Sequence, residues 1–257
     1  MINPMREMKR RVRRVCGSVT RVQTELPLVA LTFDDGPDPL ITPRLLNLLD
    51  RYHARGTFFT VGKSVAEHQA LIRRMADEGH TIGSHSWDHS AFPLITGRER
   101  RAQLMACERS LGAYGSRLFR PPYGELTLAA KVDAWRAGFE VIGWSVSSED
   151  WYESDASTIA DLLVERIHSG DIVLLHDTIY DHGKPHRGPV PDRDSWVDRE
   201  AMLCALEMMF ERIGSKFEFV TVPELMRRGL PYRSCWFKRV APSPGLGLVE
   251  RLLQKWG

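Results

Sequence analysis

LVALTFDDGPDP, residues 28–39, joins an apolar run to two aspartates and a Gly-Pro pair. An uninterrupted apolar run that is closed by turn residues is typical of a strand buried on both faces of a parallel sheet. Asp34 and Asp35 stand where this strand ends, and adjacent carboxylates at a buried strand end cost free energy unless something neutralises them. The alternative interpretation is a turn with a capping carboxylate, because Asp-Gly pairs are common in turns.

Short apolar runs alternate with segments of helical periodicity along the chain. The predicted strands are residues 28–33, 57–61, 80–83, 117–120, 139–146, 171–175 and 217–220. The predicted helices are residues 42–52, 64–78, 97–112, 126–137, 157–168, 197–213 and 222–228. Ser64 and Glu67 have the spacing of a capping box for the second helix, and Gly79 follows as its stop. Strands that alternate with helices predict parallel pairing with right-handed crossovers.

Polar side chains follow the ends of five of the seven predicted strands. They are Asp34 and Asp35, His85 and His89, Arg120, Asp150, and His176. In a barrel all strand ends face one mouth, whereas an open sheet keeps its far strands apart. The sequence therefore predicts an α/β fold with one domain built on a seven-stranded barrel.

The bulk composition is that of an ordinary globular protein, with 43% hydrophobic and 26% charged residues over 257 positions. Cys16, Cys107, Cys204 and Cys235 are far apart in sequence and form no CxxC pair, which favours scattered reduced thiols. The basic N-terminus lacks the apolar run of a signal peptide, and no stretch approaches the ~18 apolar residues of a membrane span. These features predict a cytoplasmic protein.

Basic residues are concentrated at the two ends of the chain, and the middle carries an excess of acidic ones. We divide the chain into a basic N-terminal tail (1–24), one domain (25–230) and a basic C-terminal tail (231–257). An acidic middle argues against nucleic-acid binding as the main function. Weak contact of the tails with an anionic membrane surface is one interpretation, and a solvated surface is the other.

His85 and His89 lie four residues apart in GSHSWDHSAF, residues 83–92. On a helical turn, side chains at this spacing share one face and can bind one ion, although such pairs also occur by chance on solvent faces. Ser86 follows His85, so this is not the HExxH of a zinc peptidase, and a hydrolytic base must come from elsewhere. One of the two strand-end aspartates can complete a His-His-Asp site while the other stays free as a base.

Four motifs in this order closely resemble those of the polysaccharide deacetylase family, also called NodB-type or carbohydrate esterase family 4. They are TFDDGPDP at 32–39, HSWDH at 85–89, RPPYG at 120–124 and LLHD at 174–177. The resemblance covers roughly residues 28–228 and implies a distorted (β/α)7 barrel. It also implies an enzyme that hydrolyses an N-acetyl group on an amino-sugar polysaccharide, oligosaccharide or glycan precursor and releases acetate. An O-acetyl esterase and a non-catalytic carbohydrate-binding relic are the alternatives.

The resemblance implies a role for each motif residue. Asp34 corresponds to the catalytic base, and Arg120 to the arginine that pairs with the base and orients it. The implied metal ligands are Asp35, His85 and His89. The backbone N–H of Tyr123 corresponds to an oxyanion donor, and His176 to the general acid. The implied cofactor is zinc, with cobalt or another divalent ion as an alternative.

The segment WSVSSEDW, residues 144–151, departs from the family pattern. Ser147 stands where we expect an acid that supports the catalytic histidine, and Glu149 or Asp150 is left to compensate. We therefore predict that Ser147→Asp moves the alkaline fall of the pH–rate profile to higher pH.

The long polar segment 177–196 is a predicted loop. Tyr180, His182, His186 and Trp196 could line a substrate groove there, as could Trp151 from the preceding motif. His182 and His186 are also four apart, but the residues between them include a glycine and a proline, which oppose a helical second metal site.

Overall fold

The computed structural model describes residues 15–180 and 199–234. Its strands are β1 (Ser18–Gln23), β2 (Leu28–Asp34), β3 (Thr57–Thr60), β4 (Thr81–Ser84), β5 (Gly115–Phe119), β6 (Glu140–Val141), β7 (Val146–Ser147), β8 (Ile172–His176), β9 (Glu218–Phe219) and β10 (Leu230–Ser234). Its α-helices are α1 (Ile41–Arg51), α2 (Gly62–Glu67), α3 (Gln69–Asp77), α4 (Gly97–Leu111), α5 (Leu128–Arg136), α6 (Ala156–Arg166), α7 (Glu200–Ile213) and α8 (Val222–Arg227).

Seven parallel strands pair in the order β6-β5-β4-β3-β2-β8-β7, and β9 pairs with the beginning of β2. A flat sheet in this order would hold its end strands about 29 Å apart, at ~4.8 Å per spacing. However, β6 and β7 are joined by only residues 142–145, a connection that spans at most about 17 Å. The sheet must therefore curl until its ends approach each other, which confirms the predicted α/β fold with a distorted (β/α)7 barrel.

Alternation along β2 separates two hydrophobic clusters. Val29, Leu31 and Phe33 belong to the cluster that includes residues of α1, α6 and α7. Leu28 and Ala30 belong to the cluster inside the curled sheet, together with Phe59 and Ile172. Because side chains alternate along a strand, Thr32 and Asp34 continue the inner face. The strand itself therefore aims Asp34 into the mouth of the barrel.

Two predicted elements are each divided in the structure. The predicted strand 139–146 forms the two-residue strands β6 and β7 at opposite ends of the sheet, which is where the barrel is distorted. The predicted helix 64–78 is α2 and α3, separated at His68. The capping box predicted at Ser64 is wrong, because α2 begins at Gly62 after Val61 and has no side-chain cap.

An antiparallel ribbon of β1 and β10 covers the gap between β6 and β7. Val19 of β1 bridges Ile142, and the Gly143 N–H donates to the Val19 carbonyl at 2.8 Å. The ribbon takes residues from both segments that the sequence interpretation assigns to basic tails, and the domain bounds stay a prediction. Within residues 15–180 and 199–234, no helix has the length and apolar character needed to cross a membrane, and the cytoplasmic location also stays a prediction.

Candidate metal and catalytic site

Asp35, His85 and His89 converge at the mouth of the barrel, and all three are buried. The Nε2 atoms of His85 and His89 lie 3.3 and 3.2 Å from Asp35 Oδ1. One ligand atom from each residue fits within a 4.8 Å group. Asp35 Oδ1 accepts no hydrogen bond from any residue that the structure describes.

This donor set fits a divalent cation. Two imidazole nitrogens and one carboxylate oxygen are ligands that zinc and related ions accept, and a three-residue site leaves positions for water and substrate. A buried carboxylate oxygen without a hydrogen-bond donor is costly unless a cation sits beside it. Burial opposes the charged form of Asp35, but His89 and His85 together hold the pKa of this carboxyl well below its usual range.

Loop geometry, not a helix, brings the two histidines together. The expectation of a helical turn is wrong, because residues 85–91 form an irregular loop after β4. Ser86 and His89 have φ of 71° and 59°, and Asp35 has φ of 77°, all in the left-handed region that non-glycine residues seldom adopt. Such strain is typical of functional sites that the surrounding fold holds in place.

Hydrogen bonds fix the orientation of the ligand side chains. The Nδ1 atom of His85 lies 2.8 Å from the Arg120 carbonyl oxygen, so its Nε2 faces Asp35. The Ser86 hydroxyl accepts from the His89 N–H at 2.9 Å. The Tyr180 N–H donates to Asp35 Oδ2 at 3.0 Å, which leaves Oδ1 for the two histidines. These are the second contacts that metal-binding side chains need to keep one orientation.

Asp34 and Arg120 form a buried ion pair beside the Asp-His-His cluster. Arg120 Nη1 donates to Asp34 Oδ1 at 2.8 Å and to the Thr32 hydroxyl at 2.7 Å. Its Nη2 donates to the Gly143 carbonyl at 2.8 Å, and its guanidinium lies 4.3 Å over the Phe59 ring. Arg120 is 0% exposed, and burial lowers its pKa while Asp34 opposes that effect. Asp34 Oδ2 stays free of Arg120 and lies 3.9 Å from His85 Nε2.

His176 ends β8 beside Asp34, which is its register partner on β2. Its Nδ1 atom lies 3.0 Å from Asp150 Oδ1, and its backbone N–H donates to Asp150 Oδ2 at 2.9 Å. Burial alone would lower the pKa of His176, but Asp150, with smaller contributions from Asp35 and Asp34, raises it above the ordinary value. His176 is therefore poised to carry a proton near neutral pH.

The carboxylate beside His176 belongs to Asp150, one of the two acids left to compensate for Ser147. The Ser147 hydroxyl accepts from the Glu149 N–H at 3.4 Å, and Ser147 pairs with Leu174 in the sheet. Because the chain turns after β7, the position three residues later points at His176. Burial disfavours the Asp150 anion, but His176 and Arg199 lower its pKa to about 2.

Sequence reasoning missed Arg199, whose guanidinium binds the Asp150 carboxylate. No motif contains this residue, and it follows Asp150 by 49 positions. The available signal was an arginine at the start of a predicted helix that follows a long functional loop.

Two aromatic rings lie beside His89 of this cluster, and an exposed aromatic pair follows Asp150 in the chain. The Tyr123 ring lies 4.5 Å from the His89 ring, and Tyr123 itself has a positive φ of 59°. Trp151 and Tyr152 form an edge-on pair with ring centroids 4.6 Å apart, and both are exposed. The Tyr180 ring is 6.1 Å from His89. The other predicted groove residues, His182, His186 and Trp196, lie outside the described residues.

The family model for polysaccharide deacetylase matches residues 21–142 of this chain. A peptidoglycan-N-acetylglucosamine deacetylase of Bacillus cereus is 32% identical over 217 residues, which cover 82% of this chain and 94% of the relative. The chain belongs to the polysaccharide deacetylase family. Membership in the family confirms the identification made from the four motifs.

Other comparisons agree with this family membership. The peptidoglycan-N-acetylglucosamine deacetylase PgdA of Listeria monocytogenes is 31% identical over 215 residues, covering 82% of this chain. The aligned part is 41% of that relative, so the chain spans about two fifths of its length. A crystal structure of a peptidoglycan N-acetylglucosamine deacetylase superposes with a TM-score of 0.72 at 26% identity, over 89% of this chain and 99% of the other.

Proposed function

We propose that this polysaccharide deacetylase is a metal-dependent hydrolase that removes N-acetyl groups from an amino-sugar polysaccharide, oligosaccharide or glycan precursor. The observation that carries the proposal is one mouth that holds three kinds of group. These are a ligand cluster (Asp35, His85, His89), a carboxylate held by arginine (Asp34) and a histidine held by aspartate (His176). Amide hydrolysis uses a metal site, a base and an acid. A protein that only binds carbohydrate does not need a buried carboxylate paired with arginine or a buried histidine paired with aspartate.

Asp35, His85 and His89 would hold a divalent ion, which would supply Lewis-acid polarisation of the acetyl carbonyl and a lowered pKa for a bound water. Zinc is the first choice for this nitrogen and oxygen donor set, and cobalt is an alternative. Asp35 would offer Oδ1 to this ion, because its Oδ2 already accepts from the Tyr180 N–H.

Asp34 acts as the general base in this proposal. It takes a proton from the attacking water through Oδ2, since Oδ1 accepts from Arg120. Arg120 is held on several sides, so the carboxylate cannot rotate away from the barrel mouth. A fixed base of this kind contributes about 10²–10⁴-fold to the rate.

His176 acts as the general acid. Its Nδ1 atom faces Asp150, so Nε2 is the atom that gives a proton to the leaving amine. The water oxygen bonds to the acetyl carbon, the C–N bond breaks, and the products are acetate and a free amine. The Tyr123 backbone N–H is the proposed donor to the oxyanion that forms between these steps.

The names of the relatives support an amino-sugar substrate, because they specify N-acetylglucosamine in peptidoglycan. The exposed rings of Trp151 and Tyr152 support it as well, since flat aromatic faces suit the apolar faces of sugars. The proposed partner is thus an N-acetylated carbohydrate, and amide specificity over ester is part of the proposal.

Acetate release from a substrate panel tests this function. The panel contains chitohexaose, peptidoglycan and O-acetylated xylan, and the enzyme is the full chain supplied with Zn²⁺. We expect acetate and new amines from an N-acetylated glycan. Acetate from xylan alone would replace the proposal by the esterase alternative, and no acetate from any of the three would favour the non-catalytic relic.

A further inference from the structure

Arg199 precedes α7 and is only 4% exposed. All three of its guanidinium nitrogens donate to the acid half of the site. Nη1 donates to the Asp150 carbonyl at 2.8 Å, Nη2 donates to Asp150 Oδ2, and Nε donates to the His176 carbonyl at 3.3 Å. All three guanidinium nitrogens of this buried arginine donate to only two residues, Asp150 and His176. A lysine could not make these bonds, because it has one ammonium group in place of a planar fork of donors.

The Asp150 carboxylate is shared between two cationic groups. Oδ1 faces His176 Nδ1, and Oδ2 accepts from Arg199 and from the His176 backbone N–H. The Ser148 hydroxyl adds a bond to Oδ1 at 2.6 Å. Without the arginine, the Asp150 carboxylate would lose the charged donor that fixes its rotation. His176 would then be the only cationic partner of this buried carboxylate named here.

Exposed ion pairs join α1 to α7, the helix that Arg199 precedes. Arg44 of α1 binds the Glu200 carboxylate through both terminal nitrogens, and Arg51 of α1 binds Glu207 two turns further along α7. Helix α1 follows the DDGPDP loop directly. Both pairs are exposed, so we expect each to contribute little, and Arg199 is held instead by its own bonds to Asp150 and His176.

We propose that Arg199 is a positioning residue for the general acid. It holds the Asp150 carboxylate so that Oδ1 faces His176, and its charge keeps the imidazolium acidic enough to release a proton to the leaving amine. The inference rests on the proposed function of His176. Its physical basis is that an acid paired with an unshared carboxylate holds its proton too tightly for efficient transfer.

The charges that face His176 give the sign of the effect. Asp150, Asp35 and Asp34 favour its protonated form. Arg199 pairs with the Asp150 carboxylate, and a cation beside this carboxylate offsets part of the charge that acts on His176. At an effective dielectric constant near 20, a unit charge several ångströms away changes a pKa by on the order of 1–2 units. Removal of the Arg199 charge should therefore raise the pKa of His176 by about one unit or more.

The experiment compares the full chain with Arg199→Gln, Arg199→Lys and the control Arg44→Gln, all supplied with Zn²⁺. Arg44→Gln breaks an exposed ion pair of the same helix without touching Asp150. One readout is the pH profile of kcat/KM and the separate kcat and KM values with chitohexaose as the probe. The other is the NMR titration of the His176 imidazole, assigned with His176→Gln, which needs no turnover.

For Arg199→Gln we expect the His176 midpoint and the alkaline limb to move up by about one pH unit, with kcat reduced at least roughly tenfold and KM within about threefold. Arg199→Lys should keep both pH values near wild type, because it keeps the charge, but should lower kcat, because it loses the fork. Arg44→Gln should match wild type in every readout.

The proposal is overturned if Arg199→Gln leaves the His176 midpoint unchanged, if Arg199→Lys has wild-type kcat, or if Arg44→Gln produces the same shift. Should Arg199→Gln fail to fold, the kcat of Arg199→Lys and the Arg44→Gln control still decide. Failure of the proposed function is a different result, because the wild-type chain would then release no acetate while the His176 titration could still be read.

Discussion

Replacement of Asp150 by asparagine removes the charge beside His176 and keeps an oxygen that can accept from Nδ1. In the wild-type structure the two side chains are 3.0 Å apart, Asp150 is fully enclosed, and the His176 side chain is 13% exposed. The hydrogen bond can therefore persist in the variant while the electrostatic support of the imidazolium is lost.

The size of this change follows from the geometry. Two unit charges at about 4 Å interact by about 4 kcal/mol at an effective dielectric constant near 20, which corresponds to about three pKa units. Burial and the nearby Arg199 cation then both disfavour protonation of His176, because the Asp150 charge that offsets them is gone. We expect the pKa of His176 to fall by roughly 2–3 units, so the alkaline limb of kcat/KM should move to lower pH by a similar amount.

The assay is acetate release from chitohexaose as a function of pH, with metal content measured in each protein. At pH 7.5 the loss of protonated His176 should reduce kcat/KM by about 10²–10³-fold. The matched control is Ser147→Ala, since Ser147 does not contact His176, and its alkaline limb should equal that of wild type. An Asp150→Asn enzyme with normal metal content and an unmoved alkaline limb would refute the assignment of His176 as the acid that Asp150 supports.

Three further predictions concern the neighbouring groups. Asp34→Asn should bind metal normally and lose about 10²–10⁴-fold in kcat, whereas metal loss in this variant, measured by atomic emission, would show that the two aspartates have exchanged roles. Gly36→Ala should lose about 1–3 kcal/mol in urea unfolding, because a Cβ there would lie 2.2 Å from Asp177 Oδ2, and wild-type stability would show that the loop adapts. Burial raises the pKa of Asp177 to about 7, so the unfolded chain releases this proton first and stability should fall as pH rises from about 4 to about 7. In the presence of a chelator, the Tm of Asp177→Asn should therefore fall less than that of wild type between pH 5 and pH 8. Equal falls in Tm would contradict the raised pKa of Asp177.

The strand-end argument predicted the site well because it depends on one robust rule. Parallel strands share a direction, so residues that follow them meet at one edge whatever the local details are. Asp34 at the end of β2 and His176 at the end of β8 are register partners for this reason. The curled sheet was likewise predicted from the order of strands and helices, and that order was predicted from hydrophobic periodicity.

Local backbone geometry was beyond the reach of the same reasoning. The His85 and His89 pair was expected on a helical turn, but the chain brings the side chains together through positive φ values at Ser86 and His89, which hydrophobic periodicity does not register. The strand predicted at 139–146 divides because closure of the barrel, a tertiary requirement, overrides an apolar run. Ser64 was expected to cap a helix that in fact begins two residues earlier.

The acid half of the site was predicted only in part. The family resemblance placed an acid at position 147 and left Glu149 or Asp150 to compensate for its absence, and after the turn that follows β7 it is Asp150 that contacts His176. Arg199 follows a long loop and contacts Asp150, which is far away in sequence. Such a contact has no counterpart in the hydrophobic periodicity from which strands and helices are predicted. Ion pairs of this kind become visible only when the helices are packed.

The most direct test of the proposed metal-dependent deacetylation is metal removal and restoration, with acetate release from chitohexaose as the readout. Wild type, His85→Ala and the exposed-histidine control His168→Ala are stripped with a chelator, dialysed and then titrated with Zn²⁺. We expect wild type and His168→Ala to bind about one ion per chain and to regain activity together with the metal, whereas His85→Ala should bind weakly and stay inactive. Full acetate release from the stripped wild type, or from His85→Ala, would contradict the proposal.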